Sequence, residues 1–373
     1  MNRVAMPMVL AGLLVAGTLG QGGNGPLVML LVHLGVAVLV GRELGYHGQG
    51  EPLPRTVLWP VLGFMAAALA GAATSPYGYG ALTTLLEMAV FWGIAWLAVR
   101  GGMPFLDRLR TVLVLAALAQ VGYVMVRRLF LDEWRSAGTF FNPNHLAAWL
   151  VVAVLLLAGS RDRRPTSREW TLHGIAVLIM FAGLVLSGSR GGMVGLGVGG
   201  LYLLIVAWGR MTRREKSAAV AGAVLVGVVV TGAMVRRFQG PDRFSLHRTG
   251  IWSGTVDMVS DNIWSGVGPG QFDWNARRYQ FADGDGALSY DHLYSNSHSD
   301  WLRLPAEFGL PGAVLLILAL IGTVTVIRRR RRSGSLPPSS AGAIAALLAL
   351  LVQSAFQNLS HSPAVYLTAA ALL

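Results

Sequence analysis

A histidine, an aspartate and an arginine stand together in Asn296-Ser297-His298-Ser299-Asp300-Trp301-Leu302-Arg303, directly ahead of a long apolar run. An imidazole with an ordinary pKa of about 6.5 accepts a proton from a hydroxyl at neutral pH, which makes His298 a candidate general base. Asp300 and Asn296 are the neighbours able to orient it. A lone histidine also fits a hydrogen-bonded structural role, and at this point both readings stand.

Two arginines offer charge for a phosphate. Arg190 sits in Ser187-Gly188-Ser189-Arg190-Gly191-Gly192, a tight hairpin between two apolar runs. Its glycines permit unusual backbone angles and close approach of a ligand to backbone N–H groups. A guanidinium at the head of a helix, beside free N–H donors, suits a phosphate; an interfacial arginine that caps carbonyls or meets a lipid headgroup is the alternative. Arg248 belongs to Ser245-Leu246-His247-Arg248-Thr249-Gly250-Ile251-Trp252, beyond which Val256, Val259 and Ile263 continue an apolar face. That pattern predicts an amphipathic helix on the outer membrane surface, with Arg248 and Trp252 at i, i+4 both aimed at the membrane interface. Phosphate binding and simple snorkelling both suit Arg248.

Weaker signals surround these. Asn142-Pro143-Asn144-His145 opens an apolar run, where Asn144 can cap a helix and Pro143 ends the extended chain before it. Asp283-Gly284-Asp285, with Asp291 further on, resembles part of a calcium loop, but Tyr294 stands where the closing glutamate belongs, so the stretch reads as a solvated loop. Glu87 lies inside an apolar run near its outer end and is expected to pair with an outer arginine such as Arg127 or Arg128, with a proton-relay role as the lesser alternative. No ligand cluster calls for a metal or another cofactor.

The elements that carry these residues are membrane helices. Hydrophobic residues make up 54% of the chain and charged residues 13%, in apolar segments near the length a bilayer-crossing helix needs. Spans are expected at 4–20, 26–41, 56–73, 81–99, 109–126, 145–159, 170–187, 190–208, 217–235, 308–327 and 341–359, with 364–373 as a short twelfth. The fold class is an all-α polytopic membrane protein of eleven to twelve helices. It forms a single membrane domain, 1–373, with one extracytoplasmic helical segment, 236–307, that carries part of the active site and is too small for a sizeable core of its own. Arg3 ahead of the first apolar run mimics a secretory signal, but the many spans behind it favour a retained helix.

Charge supplies the orientation. With the N-terminus inside, 19 of the 30 basic residues fall on the cytoplasmic side, from Arg3 to the run Arg328 to Arg332, while the connectors Gln21 to Gly25 and Thr74 to Gly80 carry no charge. The formal charge of +12 is then a property of the cytoplasmic face, where it meets membrane lipids, and calls for no nucleic acid partner. Absence of cysteine excludes a disulfide framework.

Four segments, in this order, resemble the O-antigen ligase and polymerase superfamily of bacterial envelope glycosyltransferases. They are Gly138 through Ala148, then Ser187 through Gly191, then Arg248 through Trp252 with Gly266-Val267-Gly268-Pro269-Gly270, and finally Ser297 through Leu302 leading to Glu307-Phe308-Gly309-Leu310-Pro311-Gly312. Ser299 stands where that family often has asparagine. The resemblance implies a GT-C-like fold in the bacterial cytoplasmic (inner) membrane, its active site facing the periplasm. It also implies transfer of a glycan from an undecaprenyl-diphosphate donor to a lipid or glycan acceptor hydroxyl, such as a lipid A core or a growing polysaccharide. Arg190 and Arg248 would then hold the donor diphosphate and His298 would deprotonate the acceptor, supported by Asn142, Asn144, Trp252, Asn296, Asp300 and Arg303. Two arginines can stabilise the leaving diphosphate without a metal, and attack from the opposite side inverts the anomeric centre. A ligase and a repeat-unit polymerase fit equally. A lipid-linked glycan flippase fits less well, because it needs a polar midplane cavity and repeated halves, whereas the candidate chemistry here lies at the outer rim.

Overall fold

The computed structural model describes residues 5–45, 53–131, 135–159, 166–238, 243–281 and 294–373. Among them are helices and their connections and no β-strand. In chain order the helices are α1 (Ala5–Ala16), α2 (Leu19–Gly22), α3 (Pro26–Gly45), α4 (Arg55–Ala73), α5 (Gly78–Leu131), α6 (Pro143–Ala158) and α7 (Ser167–Ser187). They continue as α8 (Arg190–Ala207), α9 (Arg213–Phe238), α10 (Arg243–Asp261), α11 (Phe272–Ala276), α12 (Asp300–Arg332), α13 (Ser340–Ser354) and α14 (Pro363–Leu372). Six of these, α3, α4, α5, α7, α8 and α12, are long and apolar enough to cross a membrane. The chain is an all-α polytopic membrane protein.

Helix lengths revise the expected spans. The runs 81–99 and 109–126 are two helices as expected, lying within α5 on either side of a break at Gly102 (φ 57, ψ −151) just before Pro104; the differences lie elsewhere. The runs 4–20, 145–159, 341–359 and 364–373 fold as helices of 12, 16, 15 and 10 residues, each short of a full crossing. The 26-residue α9 covers the run at 217–235.

α6 is short because it is central. Every residue from Asn144 to Leu157 is buried, and α5, α7, α8, α13 and α14 all pack on it. A helix enclosed on all sides needs no polar face, which is how this sequence reads. Small residues let its neighbours close in: a Cβ on Gly195 or Gly199 of α8 would stand 2.9 Å from the carbonyl of Ala349 or Ala345 of α13, so the two backbones nearly touch.

α12 breaks where the site begins. Gly309 takes φ 66, ψ 177, and Pro311, which has no N–H, follows it. The backbone groups freed there find partners in the turn after α10. Val267 N–H donates to Ala306 O at 2.8 Å, Gly268 N–H to Glu307 O at 3.0 Å, and Leu310 N–H to Ile263 O at 2.7 Å. Each buried group orphaned by the break is thus paired across elements. The glycine-rich stretch 266–270 and the motif around Gly309 are therefore two halves of one joint. Gln271 extends it to the start of α5, its side chain accepting from Tyr77 N at 3.2 Å and donating to Tyr77 O at 2.8 Å. Within the segment 236–307, the described part has a small core of its own, with Ile251, Met258, Phe272, Ala276 and Tyr294 closed by Ala306 of α12.

Candidate active site

His298 has a backbone that side chains rarely adopt. Its φ of 52° is the one positive value outside glycine among the described residues, a left-handed conformation that persists only where the surroundings impose it. The constraints are on both sides. Asn296 accepts the His298 N–H at 2.9 Å, and Ser297 Oγ donates to Ser299 O at 2.8 Å while taking the Ser299 N–H at 3.3 Å. From outside the loop, Trp252 Nε1 donates to Ser297 O at 3.1 Å, and Asn358 Nδ2 to Ser297 Oγ at 3.2 Å. Burial, and after it the nearby Arg248 cation, hold His298 below the usual imidazole value. A neutral imidazole at neutral pH is the protonation state that a base requires.

α10 brings Arg248 and Trp252 to this loop. Their shared face turns toward the His298 segment instead of the membrane interface that the sequence suggested: Trp252 grips Ser297, and Arg248 Nη1 donates to Phe356 O at 3.3 Å. The buried stripe of α10 is Ile251, Thr255 and Met258, whereas Val256 and Ile263 are exposed. The i, i+4 geometry was right and its direction was set by what the helix packs on.

Phe356 and Asn358 belong to the connector between α13 and α14, which meets every part of the site. Asp300, buried at the start of α12, takes the N–H groups of Leu359 at 2.8 Å and Ser360 at 3.2 Å on Oδ2 and the Ser360 hydroxyl on Oδ1. Both oxygens are thus engaged by the connector, among the described residues no hydrogen bond joins Asp300 to the His298 ring, and Asn296 holds the backbone of His298 in place of its ring. His361 lies in the same connector, within electrostatic reach of Arg303, His145 and His298. Burial and those neighbours keep it well below the usual imidazole value.

Arg190 opens α8. Ser189, fully buried, caps that helix by accepting from Gly192 N at 3.2 Å, and Gly188 makes the left-handed turn with φ 62. The hairpin is fastened by Arg135, which donates from Nε to Ser187 O at 2.8 Å and from Nη2 to Asn144 Oδ1 at 2.6 Å. Asn142, and not Asn144, is the cap of α6, accepting the Asn144 N–H at 2.8 Å. Asn144 does more than start a helix: its carbonyl takes Gln353 Nε2 at 3.1 Å. Gly191 in turn faces the side chains of Gln353 and Gln357. The Arg190 hairpin, the Asn142–His145 segment and the α13–α14 connector therefore form one rim with the His298 loop.

Arg303 serves the joint beneath. It pairs with Glu307 at 2.8 Å and Asp273 at 3.6 Å and lies over the Phe272 ring at 5.1 Å, while Glu307 also accepts the Gly270 N–H at 3.2 Å. The charges acting on Glu87 are those of Arg303 and Glu307, in place of the expected Arg127 or Arg128. Asp283, Asp285 and Asp291 lie outside the described residues. Among the described residues no group of three or more His, Asp or Glu is placed to hold a metal ion.

Four participants escaped sequence reasoning: Arg135, Gln353, Asn358 and His361. Their signal was present, since Gln353, Gln357, Asn358, Ser360 and His361 interrupt two apolar runs, but hydropathy alone extended the span to 359 and absorbed it.

No curated protein matches the chain. A family model described as O-antigen ligase matches residues 175–317, a stretch that holds Arg190, Arg248 and His298 and ends before the connector. That match places residues 175–317 of this multi-pass protein in the O-antigen ligase and polymerase superfamily, the one its ordered motifs resemble.

Proposed function

We propose that the protein is a membrane glycosyltransferase that moves a glycan from undecaprenyl diphosphate to an acceptor hydroxyl at the periplasmic face of the bacterial inner membrane. The observation that carries the reading is that Arg248 and His298, 50 residues apart in sequence, are held to one connector, Arg248 through Phe356 and the His298 loop through Asn358. Arg190 and Arg248 hold the donor diphosphate, and His298 is the base. The acceptor hydroxyl gives its proton to the imidazole as its oxygen attacks the anomeric carbon. The bond from that carbon to the diphosphate oxygen breaks, and its electron pair leaves with the diphosphate.

Negative charge therefore grows at the leaving oxygen, where permanently charged, planar guanidinium groups stabilise it by paired hydrogen bonds. This supports a reaction that needs no metal. Attack from the side opposite the leaving group inverts the anomeric centre. The neutral state of His298 fits the base role, because a protonated imidazole has no lone pair to offer.

The direct test is to incubate purified protein with a lipid-diphosphate glycan and a panel of acceptors, and to weigh the products. A glycosylated acceptor with release of lipid diphosphate is expected. A lipid A core or a protein as acceptor identifies a ligase, and a second lipid-linked repeat identifies a polymerase. Movement of intact lipid-linked glycan across vesicles with no product of either kind would replace the enzyme by a transporter.

A further inference from the structure

Asp300 is placed oddly for a residue at the first turn of a helix. A carboxylate there favours its own helix's N–H groups, yet both oxygens of Asp300 reach a segment about 60 residues further along, binding Leu359 and Ser360. Three donors converge on the oxygens of one buried side chain, which satisfies groups that burial would otherwise leave unpaired. What it fastens is the connector, and two site groups lean on that connector independently: Arg248 through the Phe356 carbonyl and the His298 loop through Asn358. The imidazole of His145 lies close to the backbone of Asn358. Loosening the connector must disturb the donor cation and the base loop together.

We propose that Asp300 is a positioning residue that acts through the α13–α14 connector, clamping Leu359 and Ser360 so that Arg248 and the His298 loop keep their places. The proposal rests on the roles given above to Arg248 and His298. It differs from an Asp that orients the imidazole, because a clamp needs acceptor oxygens and an orienting partner needs the negative charge.

The test compares Asp300→Ala, Asp300→Asn and Ser360→Ala in the glycan-transfer assay, across pH, with donor KM and kcat measured separately. Asp300→Ala is expected to lower kcat about tenfold or more and to raise donor KM, the loss expected when buried donors go unpaired. The acidic limb of its pH profile should stay where the parent's is. Asp300→Asn retains an oxygen for the two N–H groups and should recover most of that loss. Ser360→Ala should show a smaller defect in kcat and KM alike. The clamp is overturned if the asparagine variant is as impaired as alanine with its acidic limb displaced, or if Ser360→Ala matches the parent in both constants. Should Asp300→Ala fail to accumulate in membranes, the other two variants decide by the same criteria. A parent protein that transfers no glycan defeats the enzyme reading, whereas an active parent with charge-dependent Asp300 variants defeats only the clamp.

Discussion

His298 is held in a left-handed backbone that costs of order 1–3 kcal/mol for a side-chain-bearing residue. That cost separates two roles that an alanine substitution would confuse. Asparagine tolerates the left-handed region far better than most residues, so His298→Asn keeps the loop and loses the base. Turnover in both His298→Ala and His298→Asn is expected to fall by about 10² to 10⁴, with donor binding nearly intact, because a general base acts on the transition state. Parent-rate transfer by either variant would end the assignment. The companion test is electrostatic. Burial and Arg248 both hold His298 below the usual imidazole value, so the unprotonated base persists below that value and is lost as pH falls through its own pKa. Arg248→Gln removes the cation and should move the acidic limb of kcat/KM toward higher pH, while Arg248→Lys leaves the limb in place. Both Arg248→Lys and Arg190→Lys should still cost transfer about 1 to 3 kcal/mol, because lysine lacks the planar fork. A limb that does not move in Arg248→Gln would detach the two residues. The identity of the candidate base was readable from residue type alone. Its strained backbone was not, since no local signal marks a histidine for positive φ; the bonds that impose it come from Asn296 beside it and from Trp252 and Asn358 far away in sequence.

Elements position these residues through a joint between two glycines. A Cβ on Gly309 would lie 2.5 Å from Trp264 O, and one on Gly266 would lie 2.4 Å from the Glu307 carbonyl, each at a positive φ besides. Gly309→Ala and Gly266→Ala are therefore expected to destabilise the fold by about 1–3 kcal/mol or more through strain and clash, lowering the thermal midpoint in detergent. Gly334→Ala serves as the control, because it shares the positive φ but meets nothing within 4 Å. Equal midpoints for Gly309→Ala and Gly334→Ala would show that the joint does not bear load. Hydropathy made the long helices and the polar His298 segment legible, because lipid demands continuous apolar runs with internally paired backbone. It misjudged the ends. α13 stops at Ser354, not at 359, because Gln353, Asn358 and Ser360 find polar partners on α6 and at the start of α12. Such partners are tertiary, and a window of hydropathy cannot see them.

At the scale of the whole molecule, chemistry and charge occupy opposite ends. Beyond the break at Gly309, α12 runs to Arg332, and its 310–332 portion rises roughly 34 Å at about 1.5 Å per residue, close to a hydrocarbon thickness of about 30 Å. The Gly266–Gly309 joint, to which the His298 loop is tied through the first turns of α12, therefore sits one membrane thickness from the run Arg328 to Arg332. Because basic loops tend to remain in the cytoplasm, the proposed reaction expects the candidate site on the outer side, where a lipid-diphosphate donor would present its glycan. The arrangement can be tested without a functional assay because the chain has no cysteine. Ser265, exposed in the turn that packs on the Gly309 break, and Ser335, exposed just past the arginine run, lie at the two ends. A single cysteine at each can be treated with a membrane-impermeant thiol reagent in intact cells whose outer membrane, if present, has been permeabilised. Ser265→Cys should label in intact cells and Ser335→Cys only after lysis. The reverse pattern would put His298 and both arginines in the cytoplasm. In that event the positive-inside assignment and the periplasmic transfer reaction would fall together, even with every hydrogen bond at the site unchanged.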